Sequence, residues 1–254
     1  MTSRGTLYLV PNGLDLGSGE AEADLGERLP LGTLRVAARL GHWVCENAKT
    51  TRAFLKRVDA VCRLERPLQQ IAIVELPRPP KGRPDTATFE GDRLLAPALA
   101  GEDVGLISEA GLPAVADPGA RLVAAAHAAG IRVIALPGAS SITLAVAASG
   151  LNGQSFAFVG YLPTEADARA ARIRELEATS RRLAQTQVMI ETPYRNAALL
   201  AALLTQLQPS TMLAVSVGLT LVGESTRSDR IERWRTGPET LPADVPAVFS
   251  LLAR

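Results

Sequence analysis

The stretch that decides the fold is Val104–Gly150, VGLISEAGLPAVADPGARLVAAAHAAGIRVIALPGASSITLAVAASG. Its apolar runs, Val104–Ser108 and Ile131–Leu136, have the continuous hydrophobicity of strands buried on both faces of a parallel sheet. Each run leads into a Gly/Pro loop and then a helical pattern. The first helix is predicted to start at Asp117-Pro118, where Asp can cap and Pro suits the first turn, and to stop at Gly130. The second is predicted to start after Pro137-Gly138, with Ser140 or Ser141 as N-cap, and to stop at Gly150. Both loops then fall at the carboxyl ends of strands, where open α/β sheets bind ligands.

Working outward, GTLYLVP (Gly5–Pro11) reads as an opening strand. Asn12–Gly32 is rich in glycine and acid and lacks helical periodicity, which predicts a surface loop or a flap. A helix is predicted over Thr33–Leu40, a short strand over His42–Cys45, and a further helix from Glu46 (ENAKTTRAFLKRV). In that helix Lys49, Arg52 and Lys56 fall at steps of three and four and form one basic face, whose plain reading is a solvated surface. Leu68–Leu76 reads as a strand, Pro77–Pro84 as a Pro-rich loop and Asp92–Ala100 as a short helix. Such alternation predicts a mainly parallel sheet.

After Gly150 the texture changes. Ser155–Tyr161, Gln187–Glu191, Met212–Gly218 and Ala247–Leu252 read as strands, Ala197–Leu207 as a helix, and Asp229–Trp234 as either. Thr164 is expected to cap a long helix reaching about Arg182. The interleaved Arg and Glu of that helix suit a solvent-facing surface or, alternatively, an Arg strip facing RNA. Short late connections predict a mixed sheet. The fold class is therefore two α/β domains, residues 1–137 around a mainly parallel sheet and residues 138–254 around a mixed one.

Composition narrows the function classes. The 254 residues are 47% hydrophobic, enough for a sizeable core, and the net charge of +1 gives no bulk attraction to nucleic acid or anionic membrane. That argues against a non-specific polyanion binder and leaves a local basic patch open. Cys45 and Cys62 are too few for a disulfide framework. With no signal-peptide pattern and no apolar run long enough to cross a bilayer, a cytoplasmic protein with no membrane partner is expected. No Walker-type loop, GxGxxG after a strand, or GxSxG elbow occurs. His42 and His127 lie far apart and have no metal-ligand spacing with the cysteines, so no metal is expected.

Five motifs carry a more specific reading: GTLYLVP together with ENAKTTRAFLK, ISEAGLPAVADPG (Ile107–Gly119), LPGASS (Leu136–Ser141), FVGYLP (Phe158–Pro163) and ETPYRN (Glu191–Asn196). In order and spacing they resemble the tetrapyrrole-methylase-like (class III) S-adenosylmethionine methyltransferases. Within that group they most resemble the 16S ribosomal RNA cytidine 2′-O-methyltransferase branch. The resemblance covers nearly the whole chain. It implies a tetrapyrrole methylase fold of two α/β domains, S-adenosylmethionine in the cleft between them, S-adenosylhomocysteine as product, and a homodimer.

Methyl transfer from a sulfonium is an in-line displacement, so the enzyme supplies alignment and excludes water. A bent donor needs close backbone and small neighbours, which suits Gly111, Gly138, Ala110 and Ala139. By resemblance, Pro11 and the loop Ala110, Gly111, Leu112 with Val115 hold the donor's amino-acid part. Ser140 and Ser141 contact it at a helix start, where free N–H groups and the dipole favour a carboxylate. Glu191 and Leu219 fall where the family closes on adenosine. A 2′-hydroxyl benefits from a general base, for which Glu46 is the candidate, and Arg52 and Arg195 are candidates to hold phosphate. The bland alternatives are a helix-start Glu and two surface arginines.

The chain also departs from that branch. NGLDLGSG (Asn12–Gly19) replaces a Thr-Pro-Ile-Gly-Asn-Leu-like run, Asn47 stands for Asp, and Leu112 stands for Thr. VGLTLVGES (Val217–Ser225) keeps Leu219 and Thr220 but loses flanking charges. These changes fall on the substrate side, as in a diverged paralogue. Three functions stay open: a methyltransferase on RNA, the same chemistry on a tetrapyrrole or other small molecule, and a non-catalytic module that binds RNA or a protein.

Overall fold

The computed structural model describes residues 4–14, 25–77, 89–237 and 240–253. The chain divides into two compact units, Met1–Ala139 and Ser140–Arg254. In chain order the first contains β1 (Thr6–Leu9), α1 (Leu25–Arg28), α2 (Leu31–Arg39), β2 (His42–Cys45) and α3 (Ala48–Val61). There follow β3 (Ala72–Glu75), α4 (Gly91–Leu99), β4 (Val104–Ile107), α5 (Ala120–Ala128) and β5 (Arg132–Ala135). The five strands are parallel, in the order β3-β2-β4-β1-β5.

Alternation along each strand feeds two cores, because successive side chains point to opposite faces. Val10, Trp43, Cys45 and Ile107 pack with Leu25, Leu34, Phe54 and Leu55 of α1–α3. Leu7, Leu9, Val44 and Leu106 pack with Leu94, Leu95, Leu122 and Ala126 of α4 and α5. Gly105 leaves the space that the Trp43 ring occupies, since a Cβ there would lie 2.9 Å from its Cε3. The connection leaving β1 thus covers one face and that leaving the adjacent β4 covers the other. That pair of strands is the topological switch point, where such sheets open a crevice.

The second unit runs α6 (Ser141–Ser149), β6 (Phe156–Gly160), α7 (Ala166–Leu183), β7 (Thr186–Glu191), α8 (Asn196–Gln206), β8 (Met212–Val217), β9 (Ser225–Arg230), α9 (Ile231–Trp234) and β10 (Ala247–Leu252). Its sheet is mixed, in the order β6-β7-β10-β8-β9, with β6 and β7 parallel and the other neighbours antiparallel. One face packs Met189, Val215 and Phe249 against α7–α9, and the other packs Val188 and Val248 against α6. Glu177 of α7 is buried, and its carboxylate accepts the Gln208 amide at 2.8 Å and the Thr211 hydroxyl.

Several expectations need correction. The segment read as loop from Asn12 to Gly32 holds helix α1, and α2 begins at Leu31; residues 15–24 of it lie outside the described residues. Of Leu68–Leu76, only Ala72–Glu75 is strand, because Pro67 starts a 3-10 turn over Leu68–Gln70. Most of Pro77–Pro84 lies outside the described residues. Asp117 does not cap α5: the loop continues to Gly119, whose φ of +129 sets the helix start at Ala120. Glu165, not Thr164, caps α7, accepting the Asp167 and Ala168 amides, which hold its carboxyl below the usual range. Asp229–Trp234 is neither strand nor helix throughout, since it is cut at Arg230–Ile231.

Candidate active site

Because every strand of the first sheet is parallel, the loops after β1, β2, β4 and β5 leave from one edge. That edge collects Pro11, Glu46, Ala110, Gly111, Leu112 and Val115. The loop after β4 is conformationally unusual. Gly111 (φ +66), Ala114 (+66), Ala116 (+64) and Gly119 (+129) all have left-handed backbone, and each alanine there costs on the order of 1 kcal/mol. Such strain persists only where the surroundings enforce it. Here the Ala114 amide is tied to the Pro118 carbonyl at 3.3 Å and the Val115 amide to that of Leu112 at 3.3 Å.

Asn12 is the other restraint, and sequence reasoning passed over it. Its amide donates to the Gly111 carbonyl at 2.8 Å, forming an isolated bridge across the switch point. Its side-chain Nδ2 donates to the carbonyls of Ser108 at 3.3 Å and Glu109 at 2.9 Å, and its Oδ1 accepts the Gly13 amide at 2.8 Å. The residue is buried. The departure Asn12-Gly13 from the family's run marks the position but not the role, which depends on these distant partners. On the neighbouring loop, a Cβ on Gly138 would collide with the Pro11 ring, so Gly138 is what lets those backbones meet.

Glu46 follows β2, and its Oε2 accepts the Glu109 amide at 3.2 Å. Asn47 caps α3 by accepting the Lys49 amide at 2.9 Å, so the replacement of Asp by Asn keeps a competent cap. Asp117 is the second residue that was missed. Burial raises its pKa to about 6, against a hydrogen bond from Ser108 that lowers it, and the charges of Glu46 and Glu109 raise it further. Burial also pushes the Cys45 thiol up, so it is protonated at neutral pH. Arg52 is exposed and donates to the Ala48 carbonyl at 3.3 Å.

The remaining candidates stand in the second unit. Ser140 is the N-cap residue of α6, one of the two serines expected there, and its hydroxyl makes no capping bond. Leu219 packs against the cluster of Ile142, Ala145, Val146 and Val248. Glu191 is buried at the end of β7, where its carboxylate accepts the Thr192 amide at 2.8 Å and lies 2.9 Å from Arg195 Nη2. Arg195, expected to reach phosphate, is thus turned onto Glu191. Asn196 is fully buried and donates to the Val245 carbonyl at 3.0 Å. Among the described residues, no three His, Cys, Asp or Glu side chains converge as metal ligands.

These features define an α/β protein with a strained loop at the topological switch point of a parallel sheet. The chain belongs to the tetrapyrrole (corrin/porphyrin) methylase family, whose pattern matches residues 35–233. It is 41% identical over 106 residues to the ribosomal RNA small subunit methyltransferase I of Pseudomonas aeruginosa, covering 42% of this chain and 36% of that protein. It is 38% identical over 138 residues to the protein of that name from Mesorhizobium japonicum, covering 54% and 46%. The chain thus spans less than half the length of these relatives. The structure resembles uroporphyrin-III-C-methyltransferase from Thermus thermophilus (TM-score 0.51, 25% identity, 98% of this chain and 92% of that one). A conserved hypothetical protein of Aeropyrum pernix K1 shares the fold (TM-score 0.60, 19% identity, 99% and 85%).

Proposed function

We propose that this chain is an S-adenosylmethionine-dependent methyltransferase whose acceptor is RNA, at the 2′-hydroxyl of a cytidine in small-subunit ribosomal RNA. The observation that carries the reading is the strained loop Gly111–Gly119, fastened to Asn12 at the switch point beside the Glu46 carboxylate. Similarity to the two ribosomal RNA methyltransferases supports RNA as the acceptor.

The residues present fit the donor. Gly111 has left-handed backbone, and a Cβ there would meet Leu14 Cδ2 at 3.4 Å and the Ala139 carbonyl oxygen at 3.9 Å, so it is the backbone conformation of the loop, not crowding, that calls for glycine. In the first unit Pro11, Ala110, Gly111, Leu112 and Val115 would hold it. In the second, Ser140, Ser141, Glu191 and Leu219 are assigned by the family resemblance, and the uncapped start of α6 suits a carboxylate. When bound, the donor supplies an electrophilic methyl group. Glu46 would accept the hydroxyl proton, held in place by the Glu109 amide. A cytoplasmic homodimer accompanies this reading, and sedimentation velocity tests the assembly.

Calorimetric titration with S-adenosylmethionine and S-adenosylhomocysteine is the test. Micromolar binding abolished by Gly111→Val supports the donor site, and no binding to either ligand overturns it. Glu46→Gln should lower kcat at least about 100-fold with donor affinity unchanged; loss of donor binding would reassign Glu46 to structure. A small-molecule acceptor is the second reading, favoured by the likeness to uroporphyrin-III-C-methyltransferase over almost the whole chain. Ribosomal RNA from a deletion strain that lacks no methyl group would move that reading to the front.

A further inference from the structure

Helix α3 starts one residue after the Asn47 cap, beside the Glu46 carboxylate, and runs about 21 Å away from that edge. Lys49, Arg52 and Lys56 are exposed along one face of it, and Arg63 follows, exposed, just past its end. At that far end lies a groove of about 420 Å³ lined by Lys56, Asp59, Arg63, Glu65, Arg66 and Leu68. Arg66 lies across the backbone of Gly41, where any side chain would collide with its guanidinium.

The charges along this route do not cancel. Asp59 gives one oxygen to the Leu64 amide at 2.8 Å, and Glu65 is exposed. At the helix start Glu75 accepts the Ala48 amide at 2.7 Å. Among the described residues, Lys49, Lys56, Arg63 and Arg66 have no side-chain hydrogen bond or ion pair. On the rival basic helix, α7, three arginines are used internally. Arg172 pairs with Glu175 at 2.7 Å, Arg174 donates to Gln206, and Arg169 donates to the Thr164 carbonyl at 3.0 Å.

We infer that the exposed face of α3 and the groove formed by Lys56, Arg63 and Arg66 are a phosphate track, along which the substrate RNA strand runs away from the reacting nucleotide. The inference rests on the RNA reading above and names where that RNA lies. Phosphate contacts of this kind position a strand without reading its sequence, and each is paid out as counterion release, giving a salt slope of about 0.7 per contact on a single strand.

The experiment is fluorescence anisotropy with a labelled single-stranded RNA oligonucleotide, titrated across salt concentrations. Lys56→Ala combined with Arg63→Ala, both exposed, should lower the slope by about 1.4 and weaken binding roughly 10-fold at moderate salt. S-adenosylhomocysteine affinity should not change, because neither residue is near the donor loops. Arg172→Ala with Arg182→Ala on α7 removes the same charge and should leave the slope as it was. An unchanged slope in the α3 variant, or an equal fall in the α7 variant, overturns the track while leaving RNA as substrate. Failure of the unaltered protein to bind the oligonucleotide at all removes the RNA reading itself.

Discussion

The carboxyl edge of the first sheet and the strand ends of the second lean on different restraints. In the first unit the loop after β4 gathers four left-handed residues, Gly111, Ala114, Ala116 and Gly119, fastened by the Asn12 side chain, and Gly138 is pressed on Pro11. In the second the left-handed residues are spread over the ends of β6 (Gly160) and β8 (Gly218, Thr220), and buried polar side chains are matched one by one, Glu191 with the Thr192 amide and Arg195, Asn196 with the Val245 carbonyl. Close backbone approach tolerates only small residues, whereas a buried polar side chain depends on its partner being in place.

The largest effect should come from Gly138→Val. A Cβ there would enter the Pro11 ring, with Leu29 Cδ2 at 3.2 Å behind it, and a proline ring cannot swing aside. We expect a loss of more than about 3 kcal/mol, or roughly 10 °C in Tm. Gly111→Val, with its nearest neighbours at 3.4 and 3.9 Å, should cost only about 1–2 kcal/mol through its φ of +66. Equal losses in thermal melts would break the distinction between close approach and conformational strain.

Next in size is Glu177→Ala in the second unit. It leaves the Gln208 amide and the buried Thr211 hydroxyl without their acceptor, which should cost about 2–3 kcal/mol in urea unfolding. Donor affinity should be unaffected. A matching drop in donor affinity would mean that side-chain networks in the second unit also shape the ligand edge.

The smallest effect is pH-dependent. Asp117 in the folded protein has a pKa raised to about 6 from its ordinary 3.8, so between these values the folded state holds a proton that the unfolded state has released. Stability therefore falls as pH rises from about 4 to about 6 and stays reduced above. Asp117→Asn removes that penalty. Because the carboxyl is partly open to solvent, we expect a gain of about 1 kcal/mol at pH 8 and none at pH 3.5. An equal gain at both pH values would show that the effect is packing rather than charge.

The same contrast explains what could be read in advance. Continuous apolar runs such as Val104–Ile107, buried throughout, announced a parallel sheet, and glycines and prolines marked the loops at its carboxyl edge. The role of Asn12 could not be read, because its three partners at Ser108, Glu109 and Gly111 lie about a hundred residues away. Asp117-Pro118 has the local form of a helix start. The strained alanines before it carry the loop further, and only the folded arrangement shows the carboxyl turned toward Ser108. Arg195 looked like a surface cation for the same reason: the burial of its neighbour Glu191 is not a property of ETPYRN alone.

Strand β9 has a consequence for solubility. It is the outermost strand at one side of the second sheet, and it reads Ser-Thr-Arg-Ser-Asp-Arg, with no large apolar side chain. Arg227 folds back over the Trp234 ring at 4.0 Å, and Asp229 and Arg230 are the last two residues of the strand. A row of unpaired backbone groups invites a strand from another molecule, and charge along it discourages that pairing. The hairpin β8–β9 thus joins an interior strand that is apolar but for Ser216 to a charged rim, an arrangement that disfavours edge-to-edge pairing with a second molecule.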